Sequence, residues 1–150
     1  KKLGTAGALS LIKEKPQDPF IVTNADLLNT ANYSKLLDGH IKSKADATMG
    51  VRNFEMQVPF GVLNVSKNVI ISIEEKPTKN FLISAGINCF SPNVLDLIPY
   101  NEYLDIPELF NLIIKNKKFA SYAPIEGYWL DIGQHNDFEK AKFDFNELFK

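Results

Sequence analysis

Apolar residues recur along this chain at two spacings, one of a strand and one of a helix, and the two alternate. Phe20-Ile21-Val22-Thr23 is a short apolar run after Pro19, the pattern of a buried strand. Tyr33, Leu36, Leu37, His40 and Ile41 then recur at helical spacing and predict an amphipathic helix over 33–43. Ala47, Met49 and Val51 alternate with polar residues, as in a strand. Phe60 to Val65 and Val69 to Glu74 read as a hairpin turning through Ser66-Lys67-Asn68, and Phe81 to Phe90 as a further strand. Ser91-Pro92 opens a helix with a cap residue and proline at the first position. Asp105-Ile106-Pro107-Glu108 does so again as a capping box with Asp replacing Ser/Thr, and Leu109, Leu112 and Ile113 then face the core. At the front, Gly4 to Gly7 form a small-residue loop and Ala8 to Lys15 are expected to be helical. Phe119 to Ile125 and Tyr128 to Ile132 complete the strands. Residues 136–149 form a last helix with Phe138, Ala141, Phe145 and Phe149 inward. Strands alternating with helices imply an α/β sandwich with a mostly parallel sheet. Ligands of such sheets bind beyond the carboxyl ends of the strands.

Composition narrows the partners. A formal net charge of −1 gives no bulk electrostatic reason to expect nucleic acid or an anionic membrane. No apolar stretch approaches the roughly 20 residues of a membrane-spanning helix. The single cysteine, Cys89, permits neither an intrachain disulfide nor a cysteine-based zinc site, and a reducing compartment such as the cytoplasm is expected. Cys89 itself reads as an inert buried residue. His40 lies within the helical apolar stripe and reads as structural. His135, at a helix start, is open between a cap and a pocket residue.

Three strand ends carry charge. Ile21 to Asp26 delivers a carboxylate that can hold a magnesium ion over a nucleotide phosphate, with a helix-cap or turn aspartate as the alternative. Ile73-Glu74-Glu75-Lys76-Pro77 places acid beside base: a carboxylate accepts from sugar hydroxyls and an ammonium pairs with phosphate. A solvated charged turn has the same composition. Gly127-Tyr128-Trp129-Leu130-Asp131-Ile132-Gly133 brings a second aspartate, and two aspartates on separate strands can share one divalent ion. Trp129, within an apolar strand, reads as core. Leu3-Gly4-Thr5-Ala6-Gly7 is a fourth candidate, since glycines admit close backbone approach to a base and Thr5 offers a hydroxyl.

In chain order, GTAGAL, a strand ending in NAD-LL, PFGVL, IEEKP, SAGINCFSP and YWLDIG resemble the sugar-1-phosphate nucleotidylyltransferase family over nearly all 150 residues. The resemblance implies a Rossmann-like three-layer α/β sandwich. It also implies a reaction in which a sugar 1-phosphate oxygen attacks the α-phosphorus of a nucleoside triphosphate, giving a nucleotide sugar and pyrophosphate. It implies magnesium on Asp26 and Asp131, catalytic roles for these two and for Lys76, which holds the sugar phosphate, and sugar binding by Gly61, Glu75 and Gly86. Leu3, Gly4, Thr5 and Ala6 would lie beside the base and ribose. Such a transfer needs positioning and charge neutralisation more than covalent help.

The family's opening G-x-G-T-R loop and a later Pro-Lys are absent. The chain is therefore expected to be the N-terminally truncated, C-terminal portion of one catalytic domain spanning 1–150, without the first strand and inactive alone. Asn24-Ala25-Asp26 stands where the family often has Asn-Gly-Asp, and Ser84-Ala85-Gly86 where it often has Asn-Ala-Gly. The GTAG loop resembles guanylyl-transferring members, and residues 99–108 resemble guanylyltransferases of nonulosonate sugar pathways, so GTP is the favoured nucleotide. Uridylyl or thymidylyl transfer, or a non-catalytic nucleotide-sugar sensor, are the alternatives. Homo-oligomers are common in the family.

Overall fold

The computed structural model describes residues 1–133 and 135–148 and consists of two compact units, Lys1–Val51 with Ser84–Lys150, and Arg52–Ile83. The expected position of Phe149 lies outside the described residues. The elements are α1 (Gly4–Gly7), a 3₁₀ segment (Ala8–Leu11), β1 (Phe20–Thr23), β2 (Leu27–Asn29), α2 (Tyr33–Ser43), β3 (Ala47–Gln57), β4 (Val62–Ser66), β5 (Val69–Glu74) and β6 (Thr78–Phe90). A second 3₁₀ segment (Pro92–Leu97), α3 (Ile106–Lys115), β7 (Ala120–Pro124), β8 (Trp129–Asp131) and α4 (His135–Leu148) follow.

The main sheet has the order β1-β6-β3-β7. β3 and β7 run parallel while β1 runs antiparallel to β6, so the sheet is mixed. The strand period of two sorts its side chains to opposite faces. Phe20, Val22 and Phe90 join Leu109, Phe110 and Ile113 of α3 in one core cluster. Ile21, Ala85, Ile87 and Cys89 join Leu36 and Leu37 of α2 in another. Helical segments thus cover both faces, the expected three-layer sandwich. Phe90 is the hinge of the first cluster, with ring centroids 6.2 Å from Phe20 and 5.6 Å from Phe110, within the range of favourable tilted aromatic pairs.

Several expectations are corrected. The front loop is one helical turn, and the helix expected to reach Lys15 ends as a 3₁₀ segment at Leu11, because Lys13-Glu14-Lys15-Pro16 offers no apolar stripe to bury. Leu27–Asn29, unassigned by pattern, pairs with β8 as a separate two-stranded sheet. The helix after Ser91 is a 3₁₀ segment, and the Ser91 hydroxyl caps nothing: it donates to the Ala45 carbonyl at 2.9 Å. Tyr33 and Ile41 of α2 are exposed, as are Phe138 and Phe145 of α4, where Ala141 is buried. α2 and α3 hold their expected ends. Asn32 accepts from the Lys35 amide at 2.8 Å, and the Asp105 amide donates to Glu108 within the capping box at 3.1 Å.

In the second unit, β4 and β5 pair antiparallel across a two-residue turn, Lys67-Asn68, both at positive φ (45° and 65°), as a type I′ hairpin requires. Every residue of this unit except Pro77 is at least partly exposed.

His40 is structural, as its stripe position implied. It is 1% exposed, with Nδ1 2.8 Å from Thr48 Oγ1 and Nε2 3.0 Å from Ser91 Oγ. Ser91 spends its proton on the Ala45 carbonyl, so it accepts from His40 Nε2–H, and Nδ1 then accepts from Thr48, whose oxygen lies 2.8 Å from Ser121 Oγ. This chain requires neutral imidazole. Burial, opposed by the nearby Asp46 charge, lowers the His40 pKa from 6.5. The unfolded chain therefore binds a proton that the folded chain refuses. Stability is full above pH 6.5 and falls as pH drops toward the lowered folded pKa, by at most about 1.4 kcal/mol per pH unit. Urea midpoints at pH 7.5 and pH 5 are expected to differ less in His40→Gln than in the parent; equal differences would show that His40 does not set this slope.

Candidate functional site

The first unit builds a cleft of about 350 Å³, lined by both polar and apolar residues, from five elements. Ser84, Gly86 and Asn88 line it at alternate positions of β6, which is the face opposite Ala85, Ile87 and Cys89. Asn24 and Leu27 come from the β1–β2 turn, Trp129 and Asp131 from β8, and Thr5, Asp105, Ile106 and Pro107 from α1 and the start of α3. A second depression beside it, about 450 Å³, is lined by Thr5, Thr23, Asn24, Ala25 and Asp26. Thr5 and Asn24 belong to both.

Asp26 and Asp131 are brought together by the small β2–β8 sheet. Leu27 is the register partner of Asp131, and the Asp26 carbonyl accepts from the Ile132 amide at 2.9 Å. Asp26, in the turn before β2, therefore lies one backbone register step from Asp131 of β8, with Asp131 lining the first cleft and Asp26 the second depression. Both are exposed, and among the described residues neither carboxylate makes a hydrogen bond or ion pair. Among those residues no group of three or more His, Cys, Asp or Glu could hold a metal on its own. Two uncommitted carboxylates nevertheless suit magnesium, which takes one or two carboxylates and completes its shell with waters and substrate phosphate.

Gly86 is fixed by close approach. At φ 68°, a Cβ there would lie 3.0 Å from both Asn24 Nδ2 and Leu27 Cδ1, and the Asn24 amide donates to the Gly86 carbonyl at 2.8 Å. A side chain here would be strained by the positive φ and would crowd the Asn24 and Leu27 side chains.

The Leu3–Ala6 segment is bound to the chain around Asp105. The Leu104 carbonyl accepts from the Ala6 and Gly7 amides at 2.9 and 3.0 Å, and the Leu104 amide donates to Leu3 at 3.0 Å. Thr5 Oγ1 donates to Asp105 Oδ1 at 3.1 Å and accepts from the Ile106 amide at 2.9 Å. Thr5 thus supplies a second cap to α3 from 100 residues away. The Asp105 carboxyl is held below its ordinary range by the Tyr103 hydroxyl at 2.6 Å and by the Thr5 amide at 2.9 Å. Ala6 is fully buried and Leu3 half-buried, so of these four residues only Thr5 offers a side chain to the clefts.

The remaining candidates lie in the second unit. Glu75 Oε2 is 3.2 Å from where a Gly61 Cβ would stand, so Gly61 and Glu75 are neighbours. Lys76 is exposed in a bend at φ 46°, with its carbonyl 3.4 Å from Gln57 Nε2. A lysine held in the left-handed region is uncommon and marks a locally constrained backbone.

Sequence reasoning missed Asn24 and Asn88 and took Asp105 only as a cap. The available signal was Asn88, a lone polar residue inside the apolar run Ile87–Phe90. Trp129 is both things at once: half-buried against the α2-side core, it lines the cleft with its indole Nε1 donating to the Ala85 carbonyl at 2.8 Å. Cys89 is buried, and burial pushes its thiol up to about 11, which keeps it an inert thiol.

The nucleotidyl transferase family model matches residues 1–147. A mannose-1-phosphate guanyltransferase of Yarrowia lipolytica is 35% identical over 144 residues, covering 91% of this chain and 39% of the relative. That of Saccharomyces cerevisiae is 32% identical over 145 residues, covering 91% and 40%. The chain thus spans about two fifths of the length of the curated relatives it matches. Among solved structures, a Bacillus anthracis protein assigned as a glucose-1-phosphate thymidylyltransferase, in complex with a sucrose, superposes with a TM-score of 0.70 at 24% identity, covering 99% of this chain and 63% of that one. HddC of Yersinia pseudotuberculosis complexed with GMP-PN superposes at 0.62 and 23%, covering 97% and 64%. These superpositions show a shared α/β fold.

The α1–α3 contact is open to a direct check. Thr5→Val removes both hydroxyl bonds and is expected to lower stability by about 1–2 kcal/mol, with Thr5→Ser retaining most of it. Gly4 has φ 72° and a Cβ there would lie 2.5 Å from the Leu104 carbonyl oxygen, so Gly4→Ala is expected to cost about 1–3 kcal/mol. Chemical denaturation measures both, and an unchanged midpoint in either variant would refute the contact.

Proposed function

This chain belongs to the nucleotidyl transferase family, and from that premise we propose that its protein transfers a nucleoside monophosphate, GMP in the favoured reading, from a nucleoside triphosphate to a sugar 1-phosphate. The observation that carries the proposal is the pair of uncommitted carboxylates, Asp26 and Asp131, one register step apart beside a sugar-sized cleft. In the reaction a phosphate oxygen of the sugar 1-phosphate forms a bond to the α-phosphorus. The bond from that phosphorus to its β-bridging oxygen breaks, and pyrophosphate leaves with the electron pair.

Asp26 and Asp131 would hold magnesium, which when bound supplies charge neutralisation at the phosphates. The chain's own residues do the positioning. The β2–β8 pairing holds the backbones of the two aspartates side by side, which would bring their carboxylates to one ion. Gly86 and Asn24 shape the cleft wall, and Thr5 lies where the two depressions meet. Lys76 is assigned to the sugar phosphate, and Glu75 with Gly61 to sugar hydroxyls. The support is their match to the family pattern, the Gly61–Glu75 proximity and the constrained backbone at Lys76. A guanine base is favoured because the sequence relatives are mannose-1-phosphate guanyltransferases and one structural neighbour holds GMP-PN.

Pyrophosphate release by the full-length protein, with magnesium, each of the four common nucleoside triphosphates and a panel of hexose 1-phosphates, tests this. Release is expected with GTP and a hexose 1-phosphate such as mannose 1-phosphate. Asp26→Asn and Asp131→Asn should each lower kcat on the order of 10²–10³-fold, and chelation of the metal should abolish turnover. A folded protein that binds a nucleotide sugar yet releases no pyrophosphate in any combination would replace this reading with that of a sensor.

A further inference from the structure

Strand β8 presents different side chains on its two sides. Trp129 and Asp131 line the cleft, while Ile132 faces Ala141 and Phe145 of α4 across a space of about 520 Å³. Alternation puts Tyr128 and Leu130 on the same side as Ile132. The Tyr128 hydroxyl donates there to the Asp144 carboxylate of α4 at 2.5 Å. On the cleft side, the Trp129 indole donates to the Ala85 carbonyl of β6 at 2.8 Å. The strand is thus tied to the main sheet on one side and to α4 on the other.

The α4 side has little apolar packing to hold it. Ala141 is the buried residue of the helix, while Phe138, Phe143, Phe145 and Leu148 are between 47% and 70% exposed. The space left between helix and strand removes dispersion contacts that a close fit would supply. Lys142 and Asn146 donate within the helix, to Glu139 and to the Lys142 carbonyl. Asp144 instead reaches off the helix, and a hydrogen bond to a carboxylate is roughly twice as strong as a neutral one.

Tyr128 sits at the end of the ladder that carries the metal pair. Its amide donates to Thr30 Oγ1 at 2.9 Å and its carbonyl accepts from the Thr30 amide at 3.0 Å, one rung beyond Asn29 opposite Trp129. Two rungs from Asn29, Leu27 stands opposite Asp131, and the Ile132 amide donates to the Asp26 carbonyl. Each strand of this ladder is three residues long, and a two-stranded pair is marginal in water by itself. Fraying starts at the ends, and Tyr128 anchors one of them.

We propose that Tyr128 and Asp144 are a positioning pair, whose hydrogen bond pins the β2–β8 ladder to α4 and so keeps Asp131 beside Asp26. Neither residue lines the cleft or the depression next to it, so both act through Asp131. The tie itself is a property of the fold, and its consequence for the ion rests on the nucleotidyl-transfer reading above.

The full-length parent, Tyr128→Phe, Asp144→Ala and Asp144→Asn are compared by two readouts. Amide hydrogen exchange reads the tie without metal, substrate or turnover. In Tyr128→Phe and Asp144→Ala the Thr30 and Ile132 amides are expected to exchange about tenfold faster, with the amides of β3 and β6 unchanged. Pyrophosphate release from GTP and mannose 1-phosphate reads the consequence. The magnesium concentration for half-maximal rate should rise about five- to tenfold in the same two variants, with KM for the sugar phosphate unchanged. Asp144→Asn keeps an acceptor for the tyrosine hydroxyl and should stay within about twofold of the parent in both readouts. The double variant Tyr128→Phe/Asp144→Ala should be no worse than either single one, because all three lose the same bond. Tyr128→Phe keeps the ring and decides alone if Asp144→Ala does not fold. Equal exchange in parent and variants would overturn the tie. Faster exchange with an unchanged magnesium requirement would overturn the positioning role. If the parent releases no pyrophosphate with any nucleotide, the transfer reading fails by itself, and the exchange comparison decides whether the pair holds the two aspartates together.

Discussion

β6 is the constraint on which the rest of the first unit depends. Its alternate residues serve different masters: Ala85, Ile87 and Cys89 close the core under α2, while Ser84, Gly86 and Asn88 form the cleft floor before Phe90 enters the core under α3. A slip of one residue would send Ile87 into the cleft and Gly86 and Asn88 into the apolar core. The antiparallel register with β1, Phe20 opposite Phe90 through Thr23 opposite Ile87, holds that alternation. The same register delivers the Asn24–Asp26 turn to Gly86, and through it the β2–β8 pair that sets the two aspartates side by side.

The α1–α3 junction shows how a motif can look functional while its atoms are occupied structurally. Gly4 admits the Leu104 carbonyl, and the Thr5 hydroxyl is spent on Asp105 and on the Ile106 amide. What this leaves for a ligand is the outer surface of Thr5 at the meeting of two depressions. The junction therefore acts on the cleft chiefly by holding Asp105, Ile106 and Pro107 in its wall.

The elements legible in the sequence were those whose pattern is local. The α2 stripe, the β4–β5 hairpin and the α3 capping box depend on neighbours within a few residues, and each stands where expected. What was illegible depends on partners far along the chain. β2 is three residues long and exists because β8, about 100 residues later, pairs with it. The front helix stopped at Leu11 because nothing beyond it had an apolar face to bury. The aspartates were legible as strand-end carboxylates, and the structure adds the adjacency that no spacing within either segment could give. Asn88 was hidden because an apolar strand pattern absorbs a single polar residue, and only the face it occupies gives it meaning.

The Arg52–Ile83 unit holds the last residues of β3, the β4–β5 hairpin and the first residues of β6, and little of it is buried. Leu63, Val65, Val69, Ile70, Ile71 and Ile73 are all more than half solvent-accessible or nearly so, and Pro77 is the one buried residue of the unit. Within this unit β4 and β5 form a two-stranded sheet whose side chains are nearly all exposed, and such a pair is marginal in water by itself. Gly61, Glu75 and Lys76 belong to that unit. A ligand gripped by them would have to order the segment that grips it, so part of its intrinsic affinity would be consumed as conformational entropy.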